Sequence, residues 1–443
     1  MKRHILSVAV LLFACTLVSA QSLRGSYFFE TSPQRGKMNA AFAPQVNYVS
    51  VPLLGTVGVE TWSNVGLGHF AFPAGGSLQT FMHPDVSADS FLSALPDGDP
   101  YLKERLEMDL LGGGFRLGAN GYASIGVSLL EDGSVLVPKE FLRFAKLNEN
   151  GSYPGPQVSA RIYGALSLGY SHDFGDLVEG LRIGGRVKLL SGLYAGDIDL
   201  RKLEIGIDAE LVSAATEGEG HLAGISWKDS HLRADDIALR GFAVAVDLGV
   251  EYRLRLDGFI NGVNLSASVN DLGTALRFNK GVSTLTTGAT ASFTGLQGIS
   301  TNYDFKENLQ RVIDDFSRLT DISSAPAESY ESPVRPSFYA GVEVPFLNEM
   351  ISVGALYYRT AGFNHLMASL NLSPLYWLNL SVNGTFLGPV NSYGCYAEII
   401  PKNGLGLFFG LNAASLKTSR HHIPINNFSE SACLGVNVVF GGK

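Results

Sequence analysis

Past its first twenty residues the chain has no run of eighteen consecutive apolar side chains. No helix in that part could satisfy its backbone across a bilayer, so any crossing must be made by strands closed into a barrel. Charge is scarce as well: 17% of residues are charged and 46% are hydrophobic, which is too apolar for a disordered secreted chain. The charge present leans acidic, at −8, and losing Lys2 and Arg3 with a leader would make it two units more negative. That balance argues against nucleic acid as a partner. Of only three cysteines, Cys15 lies in the leader, and a predicted strand, Leu405 to Asn412, separates Cys395 from Cys433, which works against a disulfide.

Glycine is abundant instead, at 51 residues, and suits tightly turned β-structure. At the start, Lys2 and Arg3 form a positive region, Ile5 to Leu17 an apolar stretch and Val18-Ser19-Ala20 a small-residue cleavage site before Gln21. Residues 1–20 are read as an export signal, which predicts the bacterial outer membrane as destination. Leu12-Phe13-Ala14-Cys15 offers a competing lipoprotein box, which bulky Phe13 fits poorly.

Period-two alternation recurs from near residue 100 to the end. Val158, Ala160, Ile162, Gly164, Leu166, Leu168 and Tyr170 alternate with Ser159, Arg161, Tyr163, Ala165, Ser167, Gly169 and Ser171. The same pattern predicts strands over Leu102 to Leu110, Ala123 to Leu129, Leu181 to Leu189, Leu203 to Leu211, Phe242 to Tyr252, Val263 to Val269, Phe338 to Val344, Ile351 to Tyr357, Leu366 to Leu372, Leu378 to Val382 and Leu405 to Leu411. Asn120-Gly121 and Asp257-Gly258 are turn signals between them. The predicted fold is all-β, a transmembrane antiparallel β-barrel of about fourteen strands, with short helices in its loops. A soluble β-sandwich would alternate too, but would turn its apolar faces toward each other.

The barrel is assigned to residues 76–443. Pro33, Pro44, Pro52 and Pro73 break the pattern in 21–75, which reads as a hatch or plug threaded inside the barrel. Alternatively Thr56 to Trp62 and Gly66 to Phe72 supply a first barrel hairpin. Ser87 can cap a helical turn through Phe91 and Leu92, and Pro138 can open a helix over Lys139 to Leu147. The insertion 305–336 carries Leu309, Val312, Ile313, Phe316 and Leu319 at helical spacing and reads as a loop or cap outside the bilayer. Tyr357-Tyr358, Tyr376-Trp377 and Tyr393 near strand ends read as interfacial girdles.

At the end of the chain, Leu434, Val436, Val438 and Phe440 share one face of a strand, and Gly435, Asn437 and Val439 the other. The spacing of Gly435, Val438 and Phe440 resembles the signal read by the barrel-assembly machinery. Near the start, Asn39-Ala40-Ala41-Phe42-Ala43-Pro44, Tyr48 to Gly55 and Ser63-Asn64-Val65-Gly66-Leu67 resemble the N-terminal signature of Bacteroidetes-type outer-membrane proteins of unassigned function. Gly241-Phe242, Asp247-Leu248-Gly249 and Asn270-Asp271-Leu272-Gly273 resemble recurring strand motifs of that group. The group is similar to the long-chain fatty-acid transporter (FadL) superfamily, which includes the secretion barrel PorV. The Asn-Pro-Ala start of many members reads Asn39-Ala40-Ala41 here. The resemblance implies a hatch containing Asn39, Phe42 and Pro44, and a kinked strand through which hydrophobic cargo leaves by the barrel wall.

Enzyme constellations are missing. Ser171, His172 and Asp173 are consecutive on a strand and point to alternating faces, so they cannot converge as a triad. Gly66 to Ala71 and Gly218 to Ala223 match a dinucleotide fingerprint only by letters. His421-His422 has no partner at metal-ligand spacing. No catalytic residue, metal or cofactor is assigned. The function read from this is uptake or transport of a hydrophobic or amphipathic small molecule, in contact with outer-membrane lipid. The alternative is a non-transporting scaffold, either a PorV-like partner of a secretion apparatus or a surface-binding protein, working through 305–336 and His421 to Ser431.

Overall fold

The computed structural model describes residues 23–441 except 75, 148, 209–210, 229–230, 288–289, 294–322, 389 and 414–424. The export signal, most of the 305–336 insertion and His421-His422 therefore lie outside the described residues. Fourteen strands form the barrel, numbered here without the accessory strands of the loops. β1 is made of two pieces, Asn47–Ser50 and Val57–Ser63. It is followed by β2 (Tyr101–Leu117), β3 (Gly121–Leu136), β4 (Gln157–Asp173), β5 (Leu181–Asp208), β6 (Gly241–Arg255) and β7 (Gly262–Gly273). The second half is β8 (Ser337–Phe346), β9 (Ile351–Thr360), β10 (Phe363–Leu375), β11 (Leu378–Phe386), β12 (Ser392–Ile399), β13 (Gly404–Ala413) and β14 (Phe428–Phe440).

Each strand pairs antiparallel with its sequence neighbour, and β14 returns to β1, with Asn47 opposite Phe440 and Ser63 opposite Phe428. The sheet therefore closes and leaves no edge, as a spanning sheet must. Alternation sets what each face shows. In β9 to β13 the side chains of Ser352, Asn371, Ser381 and Glu398 are buried inside, while Val353, Leu370, Val382 and Leu407 are exposed outside. An apolar belt turned away from the interior rules out the sandwich, in which those residues would meet in a shared core. Tyr393 is exposed on the outside and Tyr376 is exposed in a short turn at the rim, whereas Tyr358, grouped with them in the sequence, points inward. Cys395 faces out and Cys433 in, and both are free thiols.

The two ends differ. All six connections at one end, such as Gly118 to Asn120, are short, and both chain ends of the barrel lie on that side. The long loops are at the other end, together with two short connections, 361–362 and 387–391. In outer-membrane barrels the short-turn end faces the periplasm. At the long-loop end, helix α1 (Ala88–Ala94), capped by Ser87, packs Phe91 against Leu142 of helix α2 (Lys139–Leu147). Burying a phenylalanine there contributes roughly 1.5–3 kcal/mol to holding the loops together. Gly66 to Phe72 belongs to this cap, as a short 3-10 turn and the start of a small hairpin, and does not join the barrel.

β5 corrects the sequence reading, since the two strands placed at Leu181 to Leu189 and Leu203 to Leu211 are one strand of 28 residues. Its outer part leaves the barrel and pairs with Leu211–Ala223 as a projecting sheet. Leu193 is skipped in the pairing with β4 and Arg201 in the pairing with Leu211–Ala223, so the strand's faces swap twice and its alternation lapses.

Candidate functional site

Residues 23–46 lie inside the barrel. Pro33 and Pro44 keep this segment out of the sheet, and its backbone folds into successive turns, including 3-10 helices at Leu23–Ser26 and Pro33–Lys37. Tyr27 N–H donates to Arg24 O, Ser32 N–H to Phe29 O, and Met38 N–H to Arg35 O. The next step outward is electrostatic. Arg24 donates two bonds to Glu60 of β1, at 2.9 and 3.1 Å. Arg35 meets Glu251 of β6 at 3.0 Å, with both side chains almost wholly buried. Lys37 bridges Glu107 and Asp109 of β2, at 2.7 and 2.6 Å. With the sign reversed, Glu30 is paired to Arg253 of β6, which also contacts Glu251 at 2.8 Å.

These surroundings set the charge states of the segment. Burial opposes ionisation of Glu30, yet Arg253 and Arg35 outweigh it and hold the carboxyl at about 2. Burial likewise works to discharge Lys37, but Asp109 and Glu107 prevail and raise it above the usual lysine range. Burial pushes the Tyr27 phenol up to about 12. Both signs are matched in place along the segment, so the charges hold it to the wall.

Polar bonds complete the attachment around the circumference. Arg186 of β5 donates to Gly36 O, Ser268 and Asn270 of β7 donate to Met38 O at 2.7 and 3.0 Å, and Asn379 of β11 donates to Thr31 Oγ1 at 2.7 Å. Asn39 Oδ1 accepts from Ala41 N–H at 2.9 Å, and its Nδ2 donates to Val250 O and Ala267 O, each at 3.2 Å. This brings Asn39 so close to the wall that a Cβ on Gly249 would overlap Oδ1 and stand 2.8 Å from the Ala41 nitrogen and 3.0 Å from that of Ala40. Phe42 lies 3.8 Å beneath the Arg35 guanidinium and meets Tyr27 edge-on at 5.1 Å. Pro44 lines the cavity described next. The sequence singled out Asn39, Phe42 and Pro44 but not Arg24, Arg35 or Lys37. A readable signal for these was three cations in a short aromatic stretch, set against a barrel rich in inward carboxylates.

A cavity of about 170 Å³ separates the segment from β1 to β5. Lys37, Arg105, Glu107 and Arg186 make one part of its lining, and Met38, Phe42, Tyr48 and Leu190 another. Its lining also includes Leu111 and Ile125, whose side chains are exposed on the outer face of the barrel. Beside them β1 is broken. Six residues, Val51 to Thr56, lie between the paired Ser50 and Val57, while the facing stretch of β14 between Asn437 and Leu434 holds two. Asn47–Ser50, too short to span by itself, is across this break the first half of β1.

Gly435 faces inward at the break, where a Cβ would overlap the Gly55 carbonyl and the Phe408 ring. Val438 is exposed on the outer face, and Phe440 lies 6.1 Å from Phe115 at the short-turn rim. Ser171 is buried inward, while His172, its neighbour on the strand, bonds Tyr170 at 3.0 Å on the opposite face. Among the described residues no group of three or more metal-ligating side chains is assembled.

The family of unknown function DUF5723 matches residues 40–402, and the chain belongs to it. Curated protein sequences gave no match. Among solved structures the chain is similar to the toluene transporter TbuX of Ralstonia pickettii, at 10% identity over 93% of this chain and 94% of that one, with a TM-score of 0.43. It is also similar to the toluene transporter TodX of P. putida, at 12% identity over 91% of this chain and 92% of that one, with a TM-score of 0.43.

Proposed function

We propose that this DUF5723 barrel is a gated outer-membrane transporter for an amphipathic small molecule, with residues 23–46 as its hatch and the break in β1 as a side exit. The observation that carries the reading is the cavity beside the hatch, whose lining mixes charged with apolar side chains and extends to Leu111 and Ile125 of the wall strands. Such a cavity suits a molecule with a polar head and an apolar body better than a pure hydrocarbon or a simple ion. Phe440, Val438 and Gly435 belong in this reading to biogenesis, as the signal for the barrel-assembly machinery.

Register supplies the test. Deleting residues 52–55 leaves two residues between Ser50 and Val57, matching the two of β14, and the four-residue step keeps every side chain on its own face. The shortened protein should fold but take up an amphipathic dye into liposomes at least about tenfold more slowly than the natural chain. Unchanged uptake by a folded deletion, or equal entry of salts and dye through the natural chain, sinks the proposal.

The projecting sheet built on β5 favours a second reading, a surface-binding scaffold. A stoichiometric partner pulled down from membranes and still retained after deletion of 23–46 would support it.

A further inference from the structure

On the opposite side of the hatch, toward the short-turn end, lies a second and larger cavity of about 260 Å³. We infer that it is a binding pocket for a small primary amine with an apolar body, whose ammonium group is received by Glu343. The Glu343 side chain projects inward from β8 and is only 7% exposed. Asn264 Nδ2 donates to one carboxyl oxygen at 2.9 Å and Ser352 Oγ donates to the other at 2.6 Å.

The direction of these bonds is fixed from behind. Ser381 Oγ donates to Asn371 Oδ1 at 2.8 Å, and Asn371 Nδ2 donates to Ser352 Oγ at 3.2 Å, so the Ser352 proton is left to point at Glu343. Two donors aimed at two oxygens suit a carboxylate, which only accepts. Yet among the described residues no cation stands within ion-pair distance of Glu343. Glu30, which lines the same cavity, shows the contrast, because Arg253 pairs with it. A buried carboxylate held ready by hydrogen bonds and lacking a counter-charge is a site that a cation would complete.

The rest of the lining selects the kind of cation. Phe28 and Phe29 of the hatch form a buried apolar wall, and Leu375 and Tyr376 stand exposed at the rim of the cavity, at the end of β10 and in the short turn after it. They would cover a ring or short chain attached to the ammonium group. At the mouth, Glu349 and Lys402 oppose each other in sign and do not repel such a ligand.

Benzylamine is a suitable probe, with benzyl alcohol and benzoate as neutral and anionic counterparts of the same shape. Calorimetric titration of the folded barrel in a zwitterionic detergent should show saturable, one-to-one binding of benzylamine and none of benzoate. Glu343→Gln keeps the shape and removes the charge, and it should weaken binding at least about tenfold, the scale of one charge-assisted hydrogen bond. Photolabelling of the natural protein with 4-azidobenzylamine should mark peptides containing Phe28–Phe29 or Leu375–Tyr376, a readout independent of whether the variant folds. Benzyl alcohol binding as tightly as benzylamine, undiminished binding by a folded Glu343→Gln protein, or labelling elsewhere overturns the inference. The binding test needs no transport, so a negative result leaves the uptake reading standing, and a failed uptake assay leaves this pocket standing.

Discussion

Gly249→Ala is the sharpest test of how the hatch is seated. The added methyl would overlap Asn39 Oδ1, and turning the Asn39 side chain away would not relieve it, since the Ala41 and Ala40 backbone nitrogens lie 2.8 and 3.0 Å off. The segment has to lift. Lifting it breaks the two hydrogen bonds of Asn39 to the wall, at Val250 O and Ala267 O. At about 1 kcal/mol net for each, the hatch loses roughly 2 kcal/mol of attachment, equivalent to about thirtyfold in the equilibrium between seated and unseated forms. The barrel ladder is untouched, because the methyl points into the lumen. Limited trypsin digestion reads this directly, since Arg35 and Lys37 are cleavage sites shielded by the wall. Cleavage there should accelerate by one to two orders of magnitude while the barrel keeps its heat-resistant mobility on gels. Gly58→Ala is the control, for its new Cβ would find its nearest neighbour, Ala432 O, at an ordinary 3.6 Å. Equal protection of Gly249→Ala and the natural protein would refute the seating argument.

Lys37→Met leaves Glu107 and Asp109 facing each other without their shared cation, which should cost about 2–4 kcal/mol and raise single-channel conductance in planar bilayers; adding Glu107→Gln and Asp109→Asn should recover most of the loss. If Lys37→Met leaves conductance unchanged, the pair is not a latch. Glu30 predicts a pH dependence: its folded pKa of about 2 lies below the ordinary value, so its contribution is complete above about 4.5 and fades as pH falls toward 2. Protection of the hatch should therefore differ between the natural protein and Glu30→Gln at neutral pH and converge near pH 2, and a constant gap across that range counts against it.

How much of this was legible beforehand depended on whether the relevant contacts were local. Alternation is local, so most strands were readable, as were the helices opened by Ser87 and Pro138. Where a strand carries a bulge the signal fails for a definite reason. Leu110 is skipped in the pairing of β2 with β3, so the inward set Arg105, Glu107 and Asp109 gives way to outward Leu111, and the strand predicted to stop at Leu110 continues to Leu117. β5 was split in two for the same cause. The break in β1 hid half of a strand: Thr56 to Trp62 was offered as an alternative barrel strand and its counterpart Val57–Ser63 is in the barrel, but Asn47–Ser50 is too short to span by itself. The hatch contacts could not be read, since Arg35 and Glu251 are 216 residues apart and only closure of the barrel brings them together.

That dependence on closure bears on why the hatch is held by charges at all. An apolar segment of equal size would bind a barrel interior of any register, because hydrophobic contact is non-directional. Paired charges are more demanding, since one residue of slip in β2 would turn Glu107 and Asp109 toward lipid and leave Lys37 unneutralised. Each pair contributes little net stability over an apolar substitute, yet a wrong register costs several kcal/mol per stranded charge. The segment therefore acts as a check on the barrel as well as an occupant of it. Seating would follow correct closure, and with Lys37 removed, a larger misregistered fraction should persist after refolding than any loss of native stability accounts for.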